Sequence, residues 1–273
     1  MTPRETGPFQ EYQTMAEERP SILTFSATDS GSVREVNEDA VAVVFPQSYE
    51  EMLNTGVLAV VADGMGGANG GQCASQLAAS VIPRVYAENV KGRHSNPGSA
   101  LLRALEAANS SIYSRAQSDE SLSGMGTTCV AVALTPKQAW VAWVGDSRVY
   151  LMREDGLFQM TEDHSVVAGM VREGLLTPEQ ASSHGERHVL TKALGTRPEV
   201  EVASWPKSMQ VRVGDRFLLC SDGLHDLLSE EDLLQLGGHG SLSEAAAALV
   251  RKAKERGGPD NISAVLLEVS SQL

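Results

Sequence analysis

Val57-Leu58-Ala59-Val60-Val61-Ala62 runs straight into Asp63-Gly64-Met65-Gly66-Gly67, and Arg216-Phe217-Leu218-Leu219-Cys220-Ser221 runs straight into Asp222-Gly223. Both are apolar runs of strand length, and each delivers an aspartate at its C-terminal end. Two other runs carry their acids at the opposite end. Glu38-Asp39 immediately precedes Ala40–Phe45, and Asp260-Asn261 immediately precedes Ile262–Val269. In antiparallel sheets the C-terminal ends of strands running one way lie beside the N-terminal starts of strands running the other. If these four strands pair or face one another in that way, Glu38, Asp63, Asp222 and Asp260 meet on one rim. Carboxylates packed together repel and raise one another's pKa values unless cations lie among them. An oxygen set without cysteine or histidine suits hard ions such as Mg²⁺ or Mn²⁺. The glycines after Asp63 let the backbone turn tightly, so a main-chain carbonyl can also approach the ion. A single Asp-Gly after a strand is an ordinary turn; the joint placement of four acids is what points to an ion site.

Working outward, further strand-length apolar runs occupy Ile22–Ala27, Thr127–Leu134, Ala139–Val144 and Val149–Met152. Between them lie helical patterns. Gly71–Tyr86 is rich in Ala and Leu, with Pro83 expected to kink or interrupt it. Ser99–Gln117 places Leu102, Leu105, Ala108, Asn109 and Ile112 along one stripe. Ser241 and Glu244 form a capping-box pattern opening a helix to about Arg256, and Thr177-Pro178-Glu179-Gln180 repeats that pattern with proline at the first helical position. Grouped strands with a few long helices between them predict an α+β fold, a central sandwich of two antiparallel sheets flanked by helices. Trp140 and Trp143, three apart in a strand, are expected on opposite faces as packing residues. No repeat or long linker divides the chain, so one domain is expected over residues 21–273. Residues 1–20 read as a flexible tail. Residues 165–188, with His184, His188 and several glycines, read as an inserted surface flap.

The chain has 273 residues, with 22 Lys+Arg against 35 Asp+Glu and a formal charge of −13. That balance argues against nucleic acid or an anionic membrane surface as the main partner, since both demand a basic face. Hydrophobic residues make up 42% and charged residues 21%, an ordinary globular balance that excludes a wholly disordered or membrane-spanning chain. Cys73, Cys129 and Cys220 lie far apart without zinc spacing and read as small hydrophobes in a reducing compartment. Residues 1–20 lack the basic start and apolar run of a signal peptide, so a cytoplasmic location is expected.

Eight blocks in order resemble the bacterial metal-dependent Ser/Thr protein phosphatases of type 2C: Arg34-Glu35-Val36-Asn37-Glu38-Asp39, Val61–Gly67, Gly124–Thr128, Val144-Gly145-Asp146-Ser147-Arg148, Thr161–Ser165, Leu190–Gly195, Ser221–Leu224 and Gly258-Pro259-Asp260-Asn261. The resemblance covers about residues 22–270. The resemblance implies two Mn²⁺ or Mg²⁺ ions bridged by Asp63, with Asp222 and Asp260 on the first ion. It places the Gly64 carbonyl on the second ion and has Glu38 hold that ion's waters. Arg34 corresponds to the phosphate-binding arginine, whose planar fork suits two phosphate oxygens. The implied reaction is hydrolysis of phosphoserine or phosphothreonine by direct attack of a metal-bridging water, with Arg34, Asp63 and Asp222 as the catalytic set. Met65 stands where many eukaryotic members have a histidine proposed as general acid. Ser123 stands where members that bind a third metal are expected to carry aspartate, so a third ion is expected to bind weakly or not at all. Asp146 reads as a turn and hydrogen-bond anchor, and Asp163-His164 as the place where the chain leaves the sheet for the flap. The implied partners are phosphoproteins, among them a Ser/Thr kinase or a forkhead-associated-domain protein, and a monomer is expected. Two other readings are a catalytically weak regulatory module of the same fold and a partner-switching phosphatase acting on an anti-sigma antagonist.

Overall fold

Strands with both faces covered must be apolar throughout, and the runs above are of that kind. The structure is a computed structural model that describes residues 20–66, 70–90, 96–154 and 156–271; the expected tail at 1–20 lies outside these except for Pro20. In chain order the elements begin with β1 (Pro20–Asp29), β2 (Asp39–Val44), α1 (Tyr49–Thr55), β3 (Val57–Met65), α2 (Gly70–Asn89) and α3 (Pro97–Ser118). Then come β4 (Gly126–Thr127), β5 (Cys129–Leu134), β6 (Gln138–Val144), β7 (Arg148–Arg153) and β8 (Gly156–Gln159). The flap contributes α4 (Val166–Arg172) and α5 (Pro178–Ser182), followed by β9 (Ala203–Ser204) and β10 (Met209–Gln210). The chain closes with β11 (Arg216–Cys220), α6 (Asp222–His225), α7 (Glu230–Gly237), α8 (Leu242–Glu255) and β12 (Ile262–Ser271).

The strands form two sheets, β1-β12-β11-β7-β8 and β10-β6-β5-β3-β2, with β4 paired to β3 and β9 to β6. The pairings among the described strands are antiparallel. Alternation along each strand sorts the side chains into layers. Val57, Ala59, Val61, Val130 and Val132 meet Val149, Leu151, Phe217, Leu219, Val265 and Leu267 between the sheets. Leu58, Val60 and Ala62 point the other way, against Ala74, Ala78 and Ile82 of α2 and Leu101, Leu105 and Ile112 of α3. Leu218, Cys220, Ala264 and Leu266 pack outward on Leu233 of α7 and Ala246, Leu249 and Ala253 of α8. The result is the expected sandwich with helices outside both sheets. Trp140 packs with the α2–α3 layer and Trp143 with the inter-sheet layer, on opposite faces as their spacing requires.

Three local expectations are corrected. Pro83 does not interrupt α2, because buried residues on both sides of it, Val81 and Ile82 before and Tyr86 after, pin the helix to one core. The run Thr127–Leu134 is divided at Thr128, whose amide donates to the Asp63 carbonyl at 2.9 Å instead of continuing the ladder. In keeping with the joint placement of the acids, neither Asp-Gly is a hairpin turn: β3 continues through Asp63 and Gly64 to Met65, and Asp222 opens α6. At α8 the cap is one-sided. Ser241 accepts from the Glu244 amide, while its hydroxyl donates to the Glu244 carboxylate. The Thr177–Gln180 box is complete.

Candidate active site at the carboxylate rim

Register places the acids. β2 and β3 pair with Asp39 opposite Asp63, and in the facing sheet β11 and β12 pair with Cys220 opposite Ala264. The four acid-bearing strand ends thus meet across the sandwich, from two sheets. Ser221 joins the two halves: its hydroxyl donates to Asp39 Oδ2 at 2.7 Å and accepts from the Ser263 amide at 3.0 Å.

Glycine lets the segments close in. A side chain at Gly64 would strike the Gly71 carbonyl oxygen and lie 2.6 Å from the Glu38 carbonyl oxygen, so only glycine permits β3 to end against the start of α2. The Gly64 amide donates to the Glu38 carbonyl at 3.2 Å. At the other strand end, a side chain at Gly223 would strike the Asn261 carbonyl oxygen.

The electrostatics of this corner are unbalanced. Burial, and then the charges of Asp39, Asp222 and Asp146, holds Asp63 well above the usual carboxylate range. Burial pushes Asp146 up to about 7, with Asp222 adding to it. Burial also pushes Asp39 up to about 6 against hydrogen bonds from Ser263 and Ser221. Asp222 is raised by burial; His225 opposes this, while Asp226 and Asp260 add to it. Among the described residues no Lys or Arg side chain pairs with Asp39, Asp63, Asp146 or Asp222. Asp39 Oδ1 is buried with no hydrogen-bond partner. A cluster of oxygen donors that repel one another, with an orphaned oxygen among them, fits bound divalent cations.

The other expected residues stand around this core. Arg34 lies at the mouth with Nη2 2.9 Å from Asp260 Oδ2. That pairing raises its pKa, and Glu38 and Asp63 add to the effect. Asn261 fixes the segment that carries Arg34 and Glu38. Its Oδ1 accepts from the Glu38 amide at 2.7 Å, and its Nδ2 donates to the Ser30 and Val36 carbonyls at 3.1 and 3.0 Å. Arg148 and Asp163 form a two-pronged pair, with Nη2 to Oδ2 at 2.7 Å and Nε to Oδ1 at 3.0 Å, where the flap begins. The flap's ends are tied by the Ser165–Leu190 bridge and by the Val166 amide donating to the Val189 carbonyl. Flap and rim enclose a cleft of about 1200 Å³ that includes Arg34, Asp146, Arg148, His188, Asp222 and Asp260.

The structure therefore brings Asp63, Asp222 and the Gly64 backbone together, with Glu38, Asp260 and Arg34 bordering them. It adds four residues to which the sequence reading gave no place in the ion site. Asp39 directly follows Glu38, and Asp146 lies in the quoted Gly-Asp-Ser block but reads locally as a turn. Asn261 adjoins Asp260. His188, read as a surface residue, reaches to 3.8 Å from Asp222 Oδ2. Asp39 and Asn261 were legible as neighbours of motif acids and Asp146 as a member of its own block; nothing local signals His188.

The sequence model of the family described as protein phosphatase 2C matches residues 32–266. The serine/threonine phosphatase stp of Listeria welshimeri is 38% identical over 245 residues, which is 88% of this chain and 93% of that protein. The serine/threonine protein phosphatase PstP of Mycobacterium tuberculosis is 37% identical over 253 residues, 91% of this chain. The chain spans only 45% of PstP's length. The solved catalytic domain of PstP in complex with 2 manganese ions superposes with a TM-score of 0.79 at 33% identity, covering 92% of this chain and 100% of that one. With the motif blocks, the two-sheet fold and the rim of acids all in agreement, the chain belongs to the protein phosphatase 2C family.

Proposed function

We propose that this chain is a metal-dependent protein serine/threonine phosphatase whose catalytic domain spans residues 21–273, with the flap at 165–188. The observation that carries the reading is the group Asp39, Asp63, Asp146 and Asp222, brought together with no Lys or Arg partner among the described residues. Family membership and the manganese-bound relative support it.

Asp63, Asp222, Asp260 and the Gly64 carbonyl would hold two ions, Mn²⁺ or Mg²⁺, with Glu38 beside the second. When bound, the ions supply Lewis acidity toward water and toward the phosphoryl oxygens. Arg34 offers its guanidinium at the mouth of the cleft, where two phosphate oxygens can be gripped and oriented. Arg34 pairs with Asp260, so an ion on Asp260 and a phosphate on Arg34 would each take over one member of that pair. The Arg148–Asp163 pair holds the start of the flap against the sheet, so the cleft keeps its second wall. Met65 cannot donate a proton to the leaving alkoxide, so that proton comes from elsewhere in the site. Ser123 follows the one-turn 3₁₀ helix Glu120–Leu122 and supplies no carboxylate, which supports two ions at the rim. We take the chain to act as a cytoplasmic monomer; no helix of the described residues is long and apolar enough to cross a membrane. Its substrates would be phosphoproteins, a Ser/Thr kinase or a forkhead-associated-domain protein among them.

The test is release of inorganic phosphate from a phosphothreonine peptide. The expected result is Mn²⁺-dependent turnover that chelation abolishes, and a loss of at least about a hundredfold in Asp222→Asn, since removing even a ligand's outer partner costs 10–100-fold. No turnover by the wild type with Mn²⁺ would leave the regulatory-module reading in its place.

A further inference from the structure

The flap helix α4 borders two cavities. Its residues Val167, Ala168 and Val171 line the catalytic cleft. Val166, Gly169 and Met170, at i, i+3 and i+4 of the same helix, line a second cavity of about 470 Å³, closed on its far side by Trp143 of β6 and Ala203 of β9. That volume lies within the range of about 300–1,000 Å³ usual for small-molecule sites. Gly169 gives the cavity its depth. A side chain there would meet no atom within 4 Å, and its backbone is helical, so neither crowding nor a left-handed φ calls for glycine. Glycine inside a helix costs stability relative to alanine, and what it leaves here is a slot beside the helix.

The wall facing that slot is aromatic and carries unused donors. Trp143 and His164 stack with their centroids 6.3 Å apart and their planes 12° from parallel. Trp143 Nε1 donates to the Glu162 carbonyl at 2.8 Å, which holds the indole in place. His164 Nδ1 accepts from the Gly145 amide at 3.1 Å. Burial, and then Lys192, holds the His164 pKa below its ordinary value, so the ring is neutral and Nε2 carries its proton. Among the described residues no hydrogen bond uses that N–H. Lys192 lines the same cavity and gives one of its three donors to Glu201 at 2.7 Å, which leaves two. The acids nearby are engaged or turned outward. Asp163 pairs with Arg148, and Glu162 and Glu173 are exposed.

We propose that this cavity binds a small planar aromatic carboxylate. The ring lies in the slot beside Gly169, against the Trp143–His164 pair, where a flat apolar face meets aromatic faces. The carboxylate only accepts, so it satisfies the His164 Nε2–H and the spare Lys192 donors together. Because α4 also forms a wall of the catalytic cleft, a ligand seated here holds that wall from behind. The acids of the rim take no part, and the inference stands apart from the phosphatase reading.

The experiment titrates indole-3-carboxylate calorimetrically into the full chain held in saturating Mg²⁺. The wild type is expected to bind one equivalent with a Kd of about 1 mM or tighter, the scale a ligand of about a dozen atoms reaches. Gly169→Leu fills the slot and is expected to weaken binding at least about tenfold. Its melting temperature is expected to be no lower than that of the wild type, since leucine is the better helix former and meets open space. Gly185→Leu, on the same flap with equally open surroundings but outside the cavity, is expected to bind as the wild type does. Lys192→Ala is expected to weaken the carboxylate at least about threefold and to leave binding of the neutral indole-3-carboxamide unchanged. No binding by the wild type, undiminished binding in Gly169→Leu, or an equal loss in Gly185→Leu would overturn the site. Undiminished binding of the carboxylate in Lys192→Ala would overturn its assignment as the ligand class.

Discussion

Asn261 shows how one side chain can hold a site without touching the chemistry. Its amide joins the Glu38 amide to the Ser30 and Val36 carbonyls, and so pins the irregular segment that carries Arg34 and Glu38 to the residue that leads into β12. Asn261 is 5% exposed, so its truncation leaves three backbone groups poorly paired in a place water cannot freely reach. Asn261→Ala is expected to lower stability by about 2–3 kcal/mol in urea unfolding. It is also expected to raise KM for a phosphopeptide more than it lowers kcat, because Arg34 loses its fixed position. An unchanged KM in a folded, destabilised variant would show that Asn261 supports only the core. The contrast with Asp39 is instructive at this scale. Asp39 was legible only as the neighbour of Glu38; that Ser221 reaches its Oδ2 from the opposite sheet while its Oδ1 stays buried and unpartnered depends on the tertiary fold.

The long elements were legible because burial on both faces writes itself into composition. β3, β5, β11 and β12 are almost unbroken apolar runs, and the helices packed over them carry stripes of Ala and Leu. The short elements were not. β8, β9 and β10 have four, two and two residues, too few for any period, and exist because neighbouring strands offer them an edge. Pro83 misled for the opposite reason: tertiary packing outweighed a strong local signal. The acids that open or close long strands were legible as a converging set, since strand direction alone predicts the end of the sheet they occupy. That Asp39 and Asp63 come from one sheet and Asp222 and Asp260 from the other is a matter of topology, which spacing does not specify. The flap was legible as an insertion but not as a wall, since its return to the rim through His188 depends on the bridge at Ser165 and Leu190.

At the scale of the whole molecule, a sandwich with a dry interior presses several carboxylates into one corner, and that has a cost without ions. A carboxyl whose folded pKa is raised binds more protons folded than unfolded, so stability falls as pH climbs from the unfolded value toward the folded one. For Asp39 and Asp146 that window runs from 3.8 to about 6 and about 7. Chelator-treated protein is therefore expected to gain more thermal stability from Mn²⁺ at pH 8 than at pH 5. Taking the gain at each pH, rather than the melting temperature itself, cancels groups remote from the rim such as His164, which burial lowers. An equal gain at both pH values would mean that these carboxylates do not carry the strain assigned to them.

The central claim, that this rim is a two-ion site organised by Asp63, is tested most directly by calorimetric titration of Mn²⁺ into metal-free wild-type protein and Asp63→Asn at pH 7.5. The account predicts two Mn²⁺ per chain at the rim of the wild type and the loss of both in Asp63→Asn, which remains folded because its neighbours no longer face a buried charge. A wild type that binds no Mn²⁺, or an Asp63→Asn variant that binds it with unchanged stoichiometry and affinity, would contradict it.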